Sequence, residues 1–290
     1  MTTMRPRRSV LYMPGSNARA LEKARTLPAD ALILDLEDAV APDAKDLARQ
    51  QVCDAVKARG FGKREIIIRI NGLSTPWGEA DLAAAAEAKP DAILVPKISA
   101  ASELNFIEAK LGPADKGIAV WAMVETPLAI LNIASIAAAG GRLACFVMGT
   151  NDLIKEIRGV HTQDRMNLSA ALGLSVLAAR ANGIAAIDGV YNDIRNADGF
   201  KATCEQARAF GFDGKTLIHP SQVEPCNAVF APSADEVEAA RKLIAAFELP
   251  ENKGKGAIKL DGRMFELLHA EIARQTVAMA DAIATLEASA

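Results

Sequence analysis

The sequence predicts a (β/α)8 barrel with a helical extension at its C-terminal end. Eight short runs rich in apolar and β-branched residues alternate with alanine-rich amphipathic segments, as strands alternate with helices in α/β proteins. The unit recurs roughly every 25 to 35 residues over about 220 residues, which is the repeat of a TIM barrel. A doubly wound open sheet is the main alternative, but no G-x-G-x-x-G motif follows the first strand, so that sheet lacks its usual dinucleotide-binding signature.

The eight predicted strands follow one another at the spacing that barrel units require. They cover residues 9–14, 31–38, 65–71, 92–97, 117–126, 145–153, 184–191 and 214–220. The segment 42–60 illustrates the helices between them, because Pro42 and Asp43 open it and Gly60 closes it, the usual asymmetry of helix ends.

The alternation changes after the eighth strand. Segments 234–250 and 261–288 are predicted to be helical with no strand between them, and a polar, glycine-containing joint separates them. Joints of this kind permit motion. We therefore expect a barrel domain over residues 1–232 and a helical extension over residues 233–290 that acts as a lid.

Composition and charge exclude several classes of protein. A chain of 290 residues with 50% hydrophobic and 24% charged residues is globular, with one large core. A net charge of -3 gives no reason to expect a nucleic-acid partner, and no apolar run approaches the ~18 residues of a membrane span. The first apolar run stops at Pro14 and Gly15, so we expect no signal peptide and a cytoplasmic protein.

Four widely spaced cysteines favour reduced thiols over a zinc site or disulfides: Cys53, Cys145, Cys204 and Cys226.

An apolar run at residues 30–34 leads directly into three carboxylates, Asp35, Glu37 and Asp38. Barrel enzymes place their chemistry at the carboxyl ends of the strands, and clustered negative charges are unfavourable there unless a cation approaches them. The polar side chains at the predicted strand ends are Glu37, Asp38, Arg69, Asn71, Lys97, Glu125, Asp152 and His219. We expect these groups to converge on one site, with Asp35 deeper in the barrel as a structural residue.

Two of these acids, Glu125 and Asp152, end adjacent predicted strands and are predicted to be oxygen ligands of Mg²⁺, which typically takes one or two protein carboxylates. Arg69 supplies fixed positive charge beside them. Each residue also has a structural interpretation, since acids after strands often cap the next helix, Arg69 could pair with Glu37, and His219 could be a packed ring. Their common position at one end of the barrel favours the functional interpretation.

Seven motifs follow seven of the eight predicted strands in order, all except the seventh, between residues 7 and 232: RSVLYMPGSNARALEKA, DALILDLEDAVAP, IIIRINGL, ILVPKI, AMVETPLAILN, FVMGTNDL and DGKTLIHPSQV. The series resembles the citrate lyase β-subunit-like proteins of the HpcH/HpaI aldolase superfamily, which include malyl-CoA and citramalyl-CoA lyases. The resemblance implies a Mg²⁺-dependent enzyme that cleaves or forms a carbon–carbon bond in a 3-hydroxyacyl-CoA, with acetyl-CoA and a 2-oxo acid (pyruvate or glyoxylate) as products. It also implies a homo-oligomer, a trimer or a larger assembly of trimers such as a hexamer.

The resemblance further implies roles for individual residues. Glu125 and Asp152 would hold the metal, Arg69 would stabilise the developing oxyanion, and Glu37 and Asp38 would hold metal-bound waters or pass a proton. For coenzyme A it implies the ends of the first and eighth strands with nearby basic residues: Tyr12, Lys23, Lys97, Ile218, His219 and Pro220.

The extension departs from the family pattern. Malyl-CoA lyase-like members carry a G-x-M-x-D-x-P motif whose aspartate reaches a neighbouring subunit's site and protonates the enolate. The matching stretch, GRMFELL at residues 262–268, has Glu266 in place of aspartate and Leu268 in place of proline. Glu266 is therefore our candidate for the catalytic acid, and the alternative is an exposed helix acid.

Three functions remain open at this point. The main prediction is a CoA-ester lyase, a carbon–carbon lyase that acts on citramalyl-CoA or malyl-CoA. The second is a malyl-CoA thioesterase, in which water attacks the thioester, and the third is a citrate lyase β subunit that works with an acyl-carrier protein. The expected ligands of the main prediction are a small-molecule CoA thioester and a 2-oxo acid, with no nucleic-acid or membrane partner.

Overall fold

The computed structural model describes residues 5–112 and 117–288 and confirms the (β/α)8 barrel. Eight parallel strands close in chain order, because the last strand pairs with the first from Ser9–Lys215 to Leu11–Leu217. The strands are β1 (Ser9–Pro14), β2 (Ala31–Asp35), β3 (Glu65–Arg69), β4 (Ala92–Val95), β5 (Ala119–Val124), β6 (Leu143–Met148), β7 (Ala185–Asp188) and β8 (Gly214–Leu217).

At least one helix follows every strand of the barrel. The helices are α1 (Ala18–Ala24), α2 (Lys45–Ala58), α3 (Gly78–Ala88), α4 (Ala101–Leu111), α5 (Pro127–Leu131), α6 (Ile133–Ala137), α7 (Thr150–Glu156), α8 (Ser169–Ala181), α9 (Ala197–Phe210) and α10 (Val223–Phe230). Polar side chains cap several of them: the Asn17 carboxamide oxygen accepts the N–H of Ala20, and Thr126 Oγ1 accepts the N–H of Ala129. Such caps satisfy backbone donors that the first helical turn leaves unpaired.

Alternate strand residues divide between two apolar cores. Inside the barrel lie Ile33, Ile67, Leu94, Trp121 and Val147 among others. Between the strands and the helices lie Leu32, Leu34, Ile68, Ile93 and Phe146 among others. Burial on both faces explains why the strands appear in the sequence as nearly continuous apolar runs.

Seven of the eight predicted strands, all except the first, extend too far at their carboxyl ends, as the second and the sixth illustrate. β2 ends at Asp35, so the acids at positions 37 and 38 lie in the loop that follows. β6 ends at Met148, and Asp152 lies in the first turn of α7 rather than on a strand. Short polar side chains compete with strand hydrogen bonding, and a carboxylate in the first turn of a helix interacts favourably with the helix dipole.

The barrel occupies Arg7–Phe230, and the chain from Ala231 onward belongs to a second compact unit. This unit contains α11 (Ala234–Glu248), β9 (Ala257–Leu260), β10 (Arg263–Glu266) and α12 (Leu267–Glu287). Its own small core includes Leu243, Phe247, Ile258, Ala270 and Ala273. The predicted functional division between residues 232 and 233 stays a prediction.

The prediction of a helical tail without strands is wrong, because β9 and β10 form an antiparallel hairpin. Asp261 and Gly262 make its two-residue loop, and both have positive φ, 49° and 81°. An Asp-Gly dipeptide with two positive φ angles suits the tight turn of a hairpin, where glycine adopts this conformation without a steric cost. None of the described helices combines the length and the hydropathy that crossing a membrane requires.

Candidate active site

A cavity of about 290 Å³ opens at the carboxyl ends of the barrel strands. Its lining comes from seven of the eight strands and the loops that follow them, and it includes Tyr12, Asp35, Asp38, Arg69, Met123, Gly149, Asp152, Asn192, Thr216 and Ile218. Parallel strands that close into a barrel bring their carboxyl ends to one face, where loop residues from different strands meet. The structure therefore brings several of the predicted site residues to one place.

Arg69 lines one side of this cavity and is buried, with 5% of its surface exposed. Its Nε and Nη2 donate to the two carboxylate oxygens of Asp35, each at 2.6 Å, because the two residues are paired on β3 and β2. Its Nη1 lies 2.8 Å from Glu37 Oε2 and 3.3 Å from Asp38 Oδ2. One edge of the guanidinium is thus bound to Asp35, which leaves only Nη1 to face the cavity and the loop acids.

Glu37 keeps a proton more readily than an ordinary carboxyl group. Burial raises the pKa of Glu37 to about 8, and Asp38 and Glu125 add to the shift while Arg69 opposes it. Its Oε2 is buried and makes no hydrogen bond among the residues that the structure describes, although it lies at ion-pair distance from Arg69. Glu37 is therefore mostly protonated at neutral pH.

Lys97 connects the two predicted metal ligands. Its backbone N–H donates to Glu125 Oε1 at 2.8 Å, and its Nζ donates to Asp152 Oδ1 at 3.2 Å. Lys97 has φ +57°, a left-handed conformation that is uncommon outside glycine and that aims the amide at Glu125. The resemblance had implied that Lys97 contacts coenzyme A, whereas its ammonium lies at the acid pair.

Glu125 is 2% exposed at the end of β5, and burial together with the charge of Asp152 raises the pKa of Glu125 to about 7, against the effect of Lys97. Gly149 makes room for this carboxylate, since a Cβ at that position would lie 2.4 Å from Glu125 Cβ and 2.5 Å from Oε2. The absence of a side chain at Gly149 therefore permits its close approach to Glu125.

The acid pair suits Mg²⁺ in its donor chemistry. Two carboxylates from neighbouring strand ends are the protein ligands that Mg²⁺ typically takes, with water and substrate in the other positions. No group of three or more histidine, cysteine or acidic side chains with metal-site geometry occurs within residues 5–112 and 117–288. Such a group is the pattern of zinc sites rather than magnesium sites.

The remaining predicted residues are not all at the cavity. Ile218 lines it, and the exposed His219 directs its Nδ1 to Ser221 Oγ at 2.7 Å. Pro220 begins a short 3₁₀ turn, and Lys23 is exposed on α1 and is not part of the cavity lining. Glu266 is exposed at the start of α12 in the second unit.

Two features escaped the sequence-based prediction. The buried Lys45 Nζ donates to the carbonyl oxygens of Leu36 and Glu37 and to Asn71 Oδ1, which fixes the loop that carries the acids. Asn151 and Asn192 exchange carboxamide hydrogen bonds of 3.2 and 2.9 Å and border both the first cavity and a second one of about 400 Å³. The only signal for these asparagines is position, because Asn192 directly follows the predicted strand 184–191 and Asn151 lies near the end of the predicted strand 145–153.

A polar cavity at the carboxyl ends of a closed (β/α)8 barrel is the arrangement of a barrel enzyme. The chain belongs to the HpcH/HpaI aldolase/citrate lyase family, whose model matches residues 8–220. It is 53% identical over 284 residues to a (3S)-malyl-CoA thioesterase of Cereibacter sphaeroides, with 98% of both chains covered. It is 35% identical over 269 residues to the citrate lyase subunit beta of Escherichia coli K12, covering 90% of this chain and 89% of the relative.

The solved structures include a similar barrel with ligands. The crystal structure of the protein CitE from Mycobacterium tuberculosis, in complex with magnesium, acetoacetate and coenzyme A, matches with a TM-score of 0.75 and 30% identity. The match covers 94% of this chain and 97% of the CitE chain.

The prediction of a carbon–carbon lyase is wrong. Relatives from four strains of Cereibacter sphaeroides, 51% to 53% identical over 98% of both chains, are named as thioesterases, which are hydrolases. The motifs that predicted a lyase consist of the barrel strands and the polar side chains that follow them. A cation and an oxyanion donor beside a thioester can serve either reaction, so these motifs do not specify which bond breaks.

Proposed function

We propose that the protein is a Mg²⁺-dependent thioesterase that hydrolyses malyl-CoA to malate and coenzyme A. The observation that carries the proposal is the joint position of the Glu125–Asp152 pair and the Arg69–Glu37–Asp38 group at the carboxyl ends of neighbouring strands. The thioesterase relatives and the CitE complex with magnesium and coenzyme A support the substrate class and the metal.

In the proposed reaction, water attacks the thioester carbonyl carbon and the bond to sulfur breaks. Glu125 and Asp152 would hold Mg²⁺, which when bound supplies a Lewis acid for the acyl oxygens. Arg69 Nη1, held in place by Asp35, orients an acyl oxygen and stabilises negative charge on it. Asp38, at the open rim with 70% of its side chain exposed, accepts a proton from the attacking water.

Glu37 has a different task in this scheme. Its raised pKa, about 8, keeps the carboxyl protonated at neutral pH, so it can donate a proton to the leaving sulfur or hold an acyl oxygen. The carboxyl ends of β1 and β8 are the proposed path of coenzyme A, with Ile218 at the cavity lining. We also propose a homo-oligomer, as the family resemblance implies.

An assay of products tests the proposal directly. Purified protein is mixed with Mg²⁺ and malyl-CoA, and in a second reaction with citramalyl-CoA, and the products are separated by chromatography. We expect free coenzyme A and malate in equal amounts and no 2-oxo acid. Acetyl-CoA with glyoxylate in place of malate would contradict hydrolysis, and activity that appears only with an acyl-carrier protein would favour a citrate lyase β subunit.

A further inference from the structure

The hydroxyl group of Tyr12 is buried at the cavity without a hydrogen-bond partner among the described residues. Tyr12 lies on β1, and its ring packs on the guanidinium of Arg69, with Arg69 Cζ 4.7 Å from the ring centroid. A buried hydroxyl that makes no hydrogen bond costs about 1–3 kcal/mol of stability. Folding alone would therefore favour phenylalanine at this position, and the hydroxyl needs another explanation.

The surroundings of Tyr12 define what its hydroxyl can bind. Burial raises its pKa well above the ordinary value, so the phenol is neutral and remains a proton donor. Three carboxyl groups, those of Asp35, Glu37 and Glu125, are close enough to add to this shift. A phosphate group of coenzyme A would be repelled by negative charge on Asp35 and Glu125, whereas an uncharged carbonyl oxygen would not.

The size of the cavity agrees with a small ligand portion. At about 290 Å³ it is at the lower limit of pockets that hold drug-sized molecules, so it accommodates an acyl group and not the whole coenzyme. Arg69 Nη1 and the Tyr12 hydroxyl belong to side chains that stack on each other and that both line the cavity, so the two donors belong to the same part of the site.

We propose that the Tyr12 hydroxyl donates a hydrogen bond to the thioester carbonyl oxygen and forms, with Arg69 Nη1, a two-donor oxyanion site. The inference rests on the proposed thioesterase function and replaces the contact with coenzyme A that the resemblance implied. As water adds, its oxygen bonds to the carbonyl carbon, one water proton passes to a carboxylate, and the carbonyl electron pair moves to oxygen. The electron pair on oxygen then re-forms the carbonyl as the carbon–sulfur bond breaks, and coenzyme A leaves as a thiolate that takes the proton of the Glu37 carboxyl group.

Tyr12→Phe tests the inference, because it removes only the hydroxyl and keeps the stacked ring. We expect kcat to fall about 100-fold, as for other oxyanion donors, with KM and inhibition by free coenzyme A changed less than about twofold. The melting temperature should stay equal or rise, since the variant removes an unpartnered buried hydroxyl. Tyr191→Phe, at the chain's other tyrosine, is the matched control and should leave kcat and the melting temperature unchanged.

Loss of affinity for coenzyme A with kcat retained would overturn the inference, because it would place Tyr12 on the coenzyme. Binding of two unreactive malyl-CoA analogues gives a readout without turnover: a ketone with CH₂ in place of the thioester sulfur, and a thioether with CH₂ in place of the carbonyl. Calorimetry with Mg²⁺ should show that wild type binds the ketone more tightly than the thioether. The ratio of the two affinities should be about tenfold smaller in Tyr12→Phe.

The two proposals can fail separately. If wild type hydrolyses no malyl-CoA but the preference for the ketone is lost in Tyr12→Phe, the proposed function is wrong and the carbonyl contact stands. If wild type hydrolyses malyl-CoA and the preference is equal in both proteins, the carbonyl contact is wrong.

Discussion

Arg69 faces more negative charge than one guanidinium can neutralise. Asp35, Glu37 and Asp38 all have a carboxylate oxygen within 3.3 Å of it. The bidentate contact with Asp35 uses two of its five N–H donors. The pKa of Glu37, whose buried Oε2 makes no hydrogen bond among the described residues, rises to about 8. The excess acid at the end of β2 is thus balanced by an arginine and a retained proton.

Glu37→Gln should reduce the pH dependence of stability. Because the folded-state pKa of Glu37, about 8, lies above its ordinary value of 4.5, its protonated form stabilises the fold below pH 4.5, and this stability is lost as the pH rises through 8. Wild type in EDTA should therefore lose a few degrees more of melting temperature between pH 6 and pH 9 than Glu37→Gln, measured by calorimetry. Parallel curves for the two proteins would show that Glu37 is already ionised at pH 6.

Asp152→Asn should weaken Mg²⁺ binding at least about tenfold in titration calorimetry while leaving the melting temperature of the apoprotein close to that of wild type. The substitution keeps the shape of the side chain but removes the charge that a hard cation requires. Asp193→Asn, an exposed acid in the loop after β7, is the control. Normal Mg²⁺ affinity in Asp152→Asn would exclude this residue as a ligand.

Lys97→Met should strengthen Mg²⁺ binding about three- to tenfold. The Lys97 ammonium lies 3.2 Å from Asp152 Oδ1, so a metal ion at the acid pair has to displace it. Half of the side chain is exposed, which limits the size of the effect through solvent screening. Lys110→Met, which removes an exposed lysine paired with Glu79, controls for the overall change in charge. Weaker binding in Lys97→Met would mean that the lysine assists the metal instead of competing with it.

At the scale of elements, the site depends on how closely β5 and β6 approach each other. The two strands are paired through Val124 and Met148, and Gly149 continues β6 directly beneath the Glu125 side chain. A side chain at position 149 has no space unless Glu125 moves. The position of one predicted metal ligand is therefore set by the absence of a side chain on the neighbouring strand.

Gly149→Ala should displace Glu125 and lower Mg²⁺ affinity by about tenfold or more, with a loss of stability, because its Cβ would lie 2.4 Å from Glu125 Cβ. Gly173→Ala is the matched control: it lies in α8, and its new Cβ would meet nothing closer than Phe210 at 3.9 Å. The control should be neutral or stabilising by about 0.5–1 kcal/mol. Calorimetry of unfolding and Mg²⁺ titration check both variants, and equal Mg²⁺ affinities would contradict the argument.

The order and type of the barrel elements could be predicted from the sequence, because alternation of buried strands with amphipathic helices depends on local patterns. Strand ends were less certain, since the acids after Asp35 keep the alternating pattern of a strand although the hydrogen-bonded ladder has ended. The hairpin was missed although Asp261-Gly262 is a strong turn signal, because the surrounding residues also suit a helix. Side-chain directions such as that of Lys97 depend on backbone conformations that no local pattern specifies.

At the scale of the whole molecule, the question is whether the second compact unit, which contains Glu266, takes part in the reaction. It was predicted to protonate an enolate in a neighbouring subunit, and that role stays a prediction. Thioester hydrolysis breaks the bond between carbon and sulfur and forms no carbanion that needs a proton. The proposed function therefore assigns no proton transfer to the second unit.

Glu266→Gln should accordingly keep at least about half of the wild-type kcat for malyl-CoA hydrolysis, measured by release of free thiol. The exposed position of Glu266 at the start of α12 makes a large change in stability unexpected. Leu268→Ala, two residues further on and also exposed, controls for disturbance of the start of the helix. A 100-fold loss in Glu266→Gln alone would show that the carboxyl group takes part in turnover.

The lysine between the two predicted metal ligands has a consequence for physiology. A site that already contains the protein's own cation responds only when free Mg²⁺ is abundant enough to displace it, so the half-saturation point moves to a higher ion concentration. The protein would then reach half of its full activity at a higher level of Mg²⁺, with a response of unchanged steepness. The length and charge of one lysine side chain would set that level.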